Sequence, residues 1–185
     1  MSKNNKMVIK TRNLITALLL GLFSSCISND ETVDTAFQKN LGEIASFVQT
    51  SDIVSVREET LGNTGIVLLF TQENPSGEVP VEGDSLFVDY IGYLLDGTVF
   101  DTSIEQVARD NNLFNSNRDY TPYFIKLAYS QVIPGWHFAL SQMKEEEQAT
   151  ALIPSRYGFG QGGQGNIGPN AVVAFDLELV EVRKQ

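Results

Sequence analysis

The chain has 185 residues, of which 42% are hydrophobic, and its formal net charge at pH 7 is −10. This length suits one compact domain with a leader, and the hydrophobic fraction is too high for a disordered chain. The negative charge argues against a nucleic-acid ligand, because phosphate binding requires a basic surface.

The first 25 residues have the pattern of a secretory signal peptide. Four positively charged residues and no negatively charged residue precede a short apolar run from Leu14 to Phe23. That run is too short to span a bilayer as a helix. It is followed by Ser24, Ser25 and Cys26, and Cys26 is the single cysteine of the chain, which excludes an internal disulfide.

The residues that end in Cys26 resemble the lipobox of bacterial lipoproteins. The resemblance implies that residues 1–25 are removed and that the Cys26 thiol is acylated. Two or more acyl chains hold a protein stably on a membrane. We therefore expect a lipoprotein of the bacterial cell envelope, anchored in the outer membrane, facing either the periplasm or the cell surface. Its formal net charge would change from −10 to −14 with removal of the leader.

The following residues are predicted to form a polar tether (26–33) and an N-terminal helical extension (34–64). Phe37, Leu41, Ile44 and Val48 recur at helical spacing, which predicts an amphipathic helix over 34–49.

The folded domain is predicted to cover residues 65–185. Apolar runs bounded by turn residues predict strands at 66–70, 85–95, 149–153 and 171–182, with Asp96-Gly97 as a hairpin turn. A short helix is predicted at 135–143, with Trp136, Leu140 and Met143 on its buried side. The polar segment 104–120 is predicted to be an inserted loop. Several strands with one short central helix indicate an α+β fold.

The usual catalytic groups are scarce. His137 is the single histidine, so a Ser-His-Asp or Cys-His site would need it, and a zinc site would need ligands that the chain lacks. His137 is predicted to be exposed on the short helix. Residues 158–163 match a G-x-G-x-x-G pattern, but the segment 164–169 cannot open the helix that a dinucleotide site needs. We therefore expect no metal and no cofactor.

A series of short motifs between residues 83 and 182 resembles the FKBP family of peptidyl-prolyl cis-trans isomerases, in order and at nearly the family's spacing. The segments that carry the resemblance are Val88-Asp89-Tyr90-Ile91-Gly92, Asp96 to Ser103, Val132-Ile133-Pro134-Gly135-Trp136, Ile153-Pro154, Tyr157-Gly158-Phe159-Gly160, Pro169-Asn170-Ala171 and Phe175 to Leu179. The resemblance implies an antiparallel sheet wrapped around the short helix.

The resemblance also implies a proline pocket built from ten residues. Trp136 would be its floor, Asp101 its one buried charge, and the backbone N–H of Ile133 a donor to a ligand carbonyl. The residues implied as catalytic are Tyr90, Phe100, Asp101, Trp136 and Phe175. Those implied as substrate-binding are Tyr123, Val132, Ile133, Phe159 and Ile167.

The implied activity is isomerisation of X-Pro bonds in exported polypeptide clients. The implied partners are these clients and, through the lipid anchor, the membrane. Weak binding of immunosuppressive macrolides is also expected. A pocket of this kind requires no nucleophile, base or metal. The alternative is a non-catalytic binding or chaperone module of the same fold. Anchor and domain order are also similar to those of gliding-motility-associated isomerase lipoproteins of Bacteroidetes.

Three positions depart from the family pattern. Phe159 stands where the family usually has a tyrosine, and Asn166 where it usually has an apolar residue. The segment 104–120 is longer than in the family, so the arginine that usually pairs with the acid is unassigned, with Arg109 and Arg118 as candidates. These departures predict reduced activity.

Overall fold

The computed structural model describes residues 29–185 of the chain. The predicted signal peptide and Cys26 lie outside these residues. No helix within 29–185 is long and apolar enough to cross a membrane. This part of the chain contains, in order, α1 Asn29–Thr50, β1 Arg57–Thr60, β2 Val67–Gln72, β3 Ser85–Leu94, β4 Val99–Thr102, α2 Glu105–Asp110, β5 Tyr123–Lys126, α3 Pro134–Leu140, β6 Gln148–Ile153 and β7 Val173–Arg183.

The strands form one antiparallel sheet in the order β1-β2-β6-β7-β3-β4, and β5 also pairs with β3. Its centre is the long β3–β7 pair, which runs from Ser85 opposite Arg183 to Leu94 opposite Val173. The predicted α+β class with an antiparallel sheet and a short helix is confirmed.

The inner face of the sheet packs against α3. Successive strand residues point to opposite faces, so one alternate set from each strand shares this core. As predicted, Trp136, Leu140 and Met143 are buried in it. The strand residues around them include Leu68, Phe70, Val88, Tyr90, Ala151, Ile153, Phe175 and Leu177.

The outer face of the sheet packs against α1. The intervening strand residues form a second, aliphatic cluster with Ile44 of α1, and its other buried members are Val67, Leu69, Leu152, Val172 and Ala174. The helix begins at Asn29, inside the predicted tether. The difference arises because the apolar spacing that predicts the helix begins only at Phe37.

Two strands, β1 and β5, were not predicted, and because of β1 the sheet begins earlier in the chain than predicted. β1 lies inside the predicted extension 34–64 and pairs with β2, so the sheet begins before residue 65. Its sequence, Arg57 to Thr60, has no apolar alternation because β1 is an edge strand. β5 pairs with β3 through only four residues, two of them exposed aromatics.

The prediction that His137 is exposed is wrong. Its side chain is half-buried, and its Nδ1 accepts a hydrogen bond from the Ala128 backbone N–H at 3.1 Å. Its Nε2 lies 3.0 Å from the Ser130 carbonyl oxygen, to which it donates in that tautomer. The loop before α3 folds back onto the helix, and His137 joins the two.

Candidate functional site

A pocket of about 1470 Å³ opens on the inner face, between α3 and the loop that connects β6 to β7. We call that connection the glycine-rich loop (residues 154–172). All ten residues implied at the sequence level line this one pocket: Tyr90, Phe100, Asp101, Tyr123, Val132, Ile133, Trp136, Phe159, Ile167 and Phe175. The structure thus brings together side chains from four strands, one helix and two loops.

Trp136 forms the floor of the pocket and is 4% exposed. α3 begins at Pro134, a position that favours proline because its φ is fixed and its missing N–H would be unpaired. The next residue, Gly135, lets the helix approach β6, since a Cβ there would lie 2.5 Å from Ile153 Cγ2. The indole is therefore held at a fixed depth.

Aromatic rings surround the indole edge-on. The ring centroids of Tyr90 and Phe175 lie 5.0 and 5.2 Å from that of Trp136, and Tyr123 lies at 6.2 Å. Phe100 packs at 5.5 Å against Phe175. Edge-to-face contacts of this kind stabilise aromatic clusters beyond the burial of their area. The result is a rigid, apolar enclosure.

Gly92 makes room for two of these walls. It lies in β3, opposite Phe175 in β7, and a Cβ there would lie 2.6 Å from Phe100 Cε2 and 2.7 Å from Phe175 Cε1. Sequence reasoning quoted Gly92 as part of a motif and missed this role. Glycine in a strand interior often marks a close approach of this kind, and that signal was available.

Asp101 lies at the mouth of the pocket. The Tyr90 hydroxyl donates to its Oδ2 at 2.6 Å, and the Thr102 backbone N–H donates to its Oδ1 at 2.9 Å. The Asp101 side chain is 44% exposed, so the expectation of a buried charge is wrong. The reason is its position at the end of a short edge strand, where one side of the carboxylate faces solvent.

Arg118 is the partner that the sequence left unassigned. Its Nη1 lies 2.5 Å from Asp101 Oδ1, and its Nη2 donates to the Tyr90 hydroxyl at 2.8 Å. Arg109, the other candidate, pairs with Glu105 instead. The segment 104–120 folds so that its last residues return to the pocket, and spacing along the chain does not reveal this.

The three side chains form a closed polar triangle beside the apolar enclosure. Burial, and then the hydrogen bond to Asp101, raise the pKa of Tyr90, so its hydroxyl remains a donor at neutral pH. The Arg118 guanidinium offsets the Asp101 charge. The pocket mouth therefore presents oriented dipoles and a paired charge next to Trp136.

The backbone N–H of Ile133 precedes α3 and, within residues 29–185, donates no hydrogen bond. Val132 and Ile133 are half-buried, and Ile167 is buried on the opposite rim. A free N–H beside an apolar pocket is a donor for a ligand carbonyl. This geometry supplies one directional contact in an otherwise apolar site.

Two of the three departures from the family pattern, Phe159 and Asn166, lie on the glycine-rich loop. The Phe159 ring packs edge-on against Phe100 at 6.0 Å, and Asn166 is exposed at the rim. No group of three or more His, Cys, Asp or Glu side chains within the described residues could hold a metal ion.

Comparison with known proteins gives a family match to "FKBP-type peptidyl-prolyl cis-trans isomerase" over residues 77–180, more than half of the chain. A probable FKBP-type peptidyl-prolyl cis-trans isomerase FkpA of Neisseria meningitidis serogroup B is 38% identical over 107 residues, 57% of this chain. The match spans 34% of that protein's length. An FK506-binding protein of Neisseria meningitidis serogroup C is 33% identical over 64% of this chain and 97% of its own length.

The fold is similar to that of FkpA from Escherichia coli, with a TM-score of 0.59 and 26% identity. The alignment covers 83% of this chain and 64% of that one. All the residues that line the pocket, from Tyr90 to Phe175, lie within the matched residues 77–180.

Proposed function

The chain belongs to the FKBP-type peptidyl-prolyl cis-trans isomerase family, and on that premise we propose that its pocket accelerates rotation about X-Pro bonds in exported polypeptide clients. The observation that carries the proposal is the aromatic enclosure above Trp136 with one free backbone donor at its rim. The enclosure above Trp136 is apolar, as the pyrrolidine ring of a proline requires, and the rim of the pocket is polar, as the peptide on either side of that proline requires.

The chemistry requires no reactive side chain. Amide resonance gives the planar X-Pro bond a rotation barrier of roughly 18–20 kcal/mol. In the twisted transition state this resonance is lost and the carbonyl is less polar, so an apolar pocket disfavours the planar state more than the twisted one. A rate gain of about 10⁴ to 10⁶ requires a preference of only ~5–8 kcal/mol.

Each residue has a definite part in this scheme. Trp136 supports the pyrrolidine ring, and the Ile133 N–H donates to a carbonyl of the client. Asp101 holds the Tyr90 ring as a wall through the 2.6 Å hydrogen bond, and Arg118 offsets the Asp101 charge. Removing the Asp101 carboxylate would leave the Tyr90 hydroxyl held only by Arg118, whose charge would then be unpaired beside the apolar pocket.

The test follows cis-to-trans relaxation of X-Pro-Phe peptides with the purified full-length chain in mild detergent. The wild type should accelerate relaxation, and Asp101→Ala and Trp136→Ala should each lose at least about tenfold of kcat/KM, or ~1.4 kcal/mol. Phe138→Ala is the matched control, because Phe138 is on α3 but is exposed outside the pocket.

A folded wild type that leaves the rate at its uncatalysed value for several X residues would overturn the catalytic proposal. The alternative is then a binding or chaperone module of the same fold. Exposed aromatic side chains beside the pocket, Tyr123, Phe124 and Tyr129, favour that second candidate, because such residues can hold extended apolar segments. Suppressed aggregation of an unfolded client would support it.

We also propose weak macrolide binding in the same pocket, because Phe159 offers no hydroxyl to a ligand carbonyl.

We further propose a lipid anchor at Cys26, which is supported by the sequence around that residue. Incorporation of a labelled fatty acid, and its loss in Cys26→Ser, would test it.

A deletion strain would separate a specialised role from a housekeeping role. A motility defect would indicate a specialised role, and a general folding defect would indicate a housekeeping role.

A further inference from the structure

α1 lies outside the family match at residues 77–180, yet it contacts the glycine-rich loop through a buried polar side chain. Asn40 of α1 is 0% exposed. Its Oδ1 accepts hydrogen bonds from the Ser155 backbone N–H at 2.9 Å and from the Ser155 hydroxyl at 2.7 Å. Its Nδ2 donates to the Asn170 carbonyl oxygen at 2.9 Å. One amide therefore binds two loop positions fifteen residues apart in sequence.

These two positions are the base of the glycine-rich loop. Between them lie Phe159 and Ile167, which line the pocket. The loop also closes on itself, because the Asn170 N–H donates to the Gly160 carbonyl oxygen at 2.9 Å and the Gly160 N–H to the Ser155 carbonyl oxygen at 2.8 Å. Asn40 joins this closure from a different element and connects it to α1.

The loop has a particular need for such an anchor. Gly160, Gly163 and Gly165 all have positive φ, and glycine loses more conformational freedom on ordering than any other residue. A loop of this composition has many alternative conformations close in energy. The position of the Phe159 wall therefore depends on how firmly the loop base is held.

The other contacts between α1 and the loop are weaker candidates. Arg156 pairs with Asp34 at 2.8 Å, and its guanidinium lies 4.5 Å from the centroid of the Phe37 ring. The Asp34 side chain is 75% exposed and the Arg156 side chain 36%, and ion pairs with an exposed partner contribute little. A buried amide whose partners are also buried or half-buried costs far more to remove.

We propose that Asn40 is a positioning residue that holds the pocket wall of the isomerase through both ends of the glycine-rich loop. The inference rests on the proposed function for its kinetic part. Without the anchor, the loop spends less time in the binding-competent arrangement, so the apparent affinity falls by that fraction while turnover at saturation is kept. α1 is thereby part of the pocket's support.

The experiment compares Asn40→Ala with Asn40→Asp and with Ile44→Val in the purified full-length chain. Asp keeps the acceptor for Ser155 and loses the donor to Asn170. Ile44→Val is the matched control, because Ile44 packs one turn further along α1 in the aliphatic cluster and forms none of the hydrogen bonds to Ser155 and Asn170. Three quantities are measured: KM and kcat, the emission of Trp136 (the single tryptophan), and amide hydrogen exchange over residues 155–170.

For Asn40→Ala we expect KM to rise about fivefold or more with kcat within twofold, a changed Trp136 emission, and faster exchange across the loop. Asn40→Asp should keep protection near Ser155 and lose it near Asn170. Ile44→Val should lower the melting temperature and leave all three quantities unchanged.

Asn40→Ala with wild-type loop exchange and wild-type emission would overturn the proposal, as would an Ile44→Val chain that changes the loop equally. Hydrogen exchange and emission need no substrate. They therefore decide the positioning role even if the wild type proves inactive, and failure of the proposed function stays distinguishable from failure of this one.

Discussion

The two faces of the sheet use neighbouring residues of the same strands in different ways. On β7, Val173 and Phe175 point to the inner face, where aromatic rings surround a pocket that is open to solvent. Ala174, together with Val172 just before the strand, points to the outer face, where aliphatic side chains are covered by α1. The inner face keeps an unfilled opening, and the outer face is closed.

This difference separates stability from function. A covered aliphatic cluster contributes by removing apolar area from water and needs no special geometry. An open aromatic enclosure gives up part of that burial and depends on the exact placement of its rings. Changes in the aliphatic cluster should therefore affect unfolding, and changes in the aromatic enclosure should affect ligand binding and catalysis.

The largest expected effect is on the outer face. Ile44→Ala removes a buried side chain from the aliphatic cluster and should lower the free energy of unfolding by about 2–5 kcal/mol. Urea titration measures this. The kcat/KM of the remaining folded protein should stay within about twofold of wild type. A parallel loss of activity per folded molecule would show that the two faces are not independent.

The next effect is on the inner face. Gly92→Ala places a Cβ against Phe100 and Phe175, and overpacking of this kind costs about 1–3 kcal/mol. Because both rings are pocket walls, kcat/KM for an X-Pro peptide should fall at least about tenfold.

Gly42→Ala is the matched control for Gly92→Ala. A Cβ at position 42 of α1 would meet nothing within 4 Å, and alanine is the better helix former by roughly 0.5–1 kcal/mol. This variant should be at least as stable as wild type and fully active. Equal kinetics for the two alanine variants would contradict the assignment of Gly92 as a support of the walls.

The smallest expected effect is a gain in macrolide affinity. Phe159→Tyr adds a hydroxyl at the pocket rim, and one added hydrogen bond of about 0.5–1.5 kcal/mol should tighten macrolide binding roughly twofold to tenfold. Titration of the Trp136 emission measures it. Phe138→Tyr adds the same atom outside the pocket and should leave the affinity unchanged. An unaltered dissociation constant for Phe159→Tyr would reject the idea.

The sequence predicts the parts of the fold in which periodicity and burial agree. The hairpin from Ser85 to Thr102 was found because β3 alternates and Asp96-Gly97 makes a turn between the strands. β1 was missed because an edge strand has no buried alternate face to impose a pattern. The first turns of α1 were missed for the same reason, since they do not share the apolar spacing that begins at Phe37.

The pocket was predicted better than its supports. Ten of its lining residues were implied by the family resemblance. Arg118 and Asn40 instead act across 17 and 115 residues of sequence, to Asp101 and Ser155 respectively. Contacts over such separations depend on the path of the chain. The exposure of Asp101 was misjudged because the neighbouring Phe100 suggested burial. Near the end of a strand, one residue can line the pocket while the next faces solvent on one side.

β1 also has a consequence for a protein that meets unfolded chains. It is a free edge of the sheet, and an unpaired edge is a template onto which another extended chain can add as a strand. β1 is only four residues long, Arg57 to Thr60, and three of them are charged. Short, charged edges resist strand addition. Under the proposed function, a client segment would be discouraged from joining the sheet and would be free to leave after its X-Pro bond has isomerised.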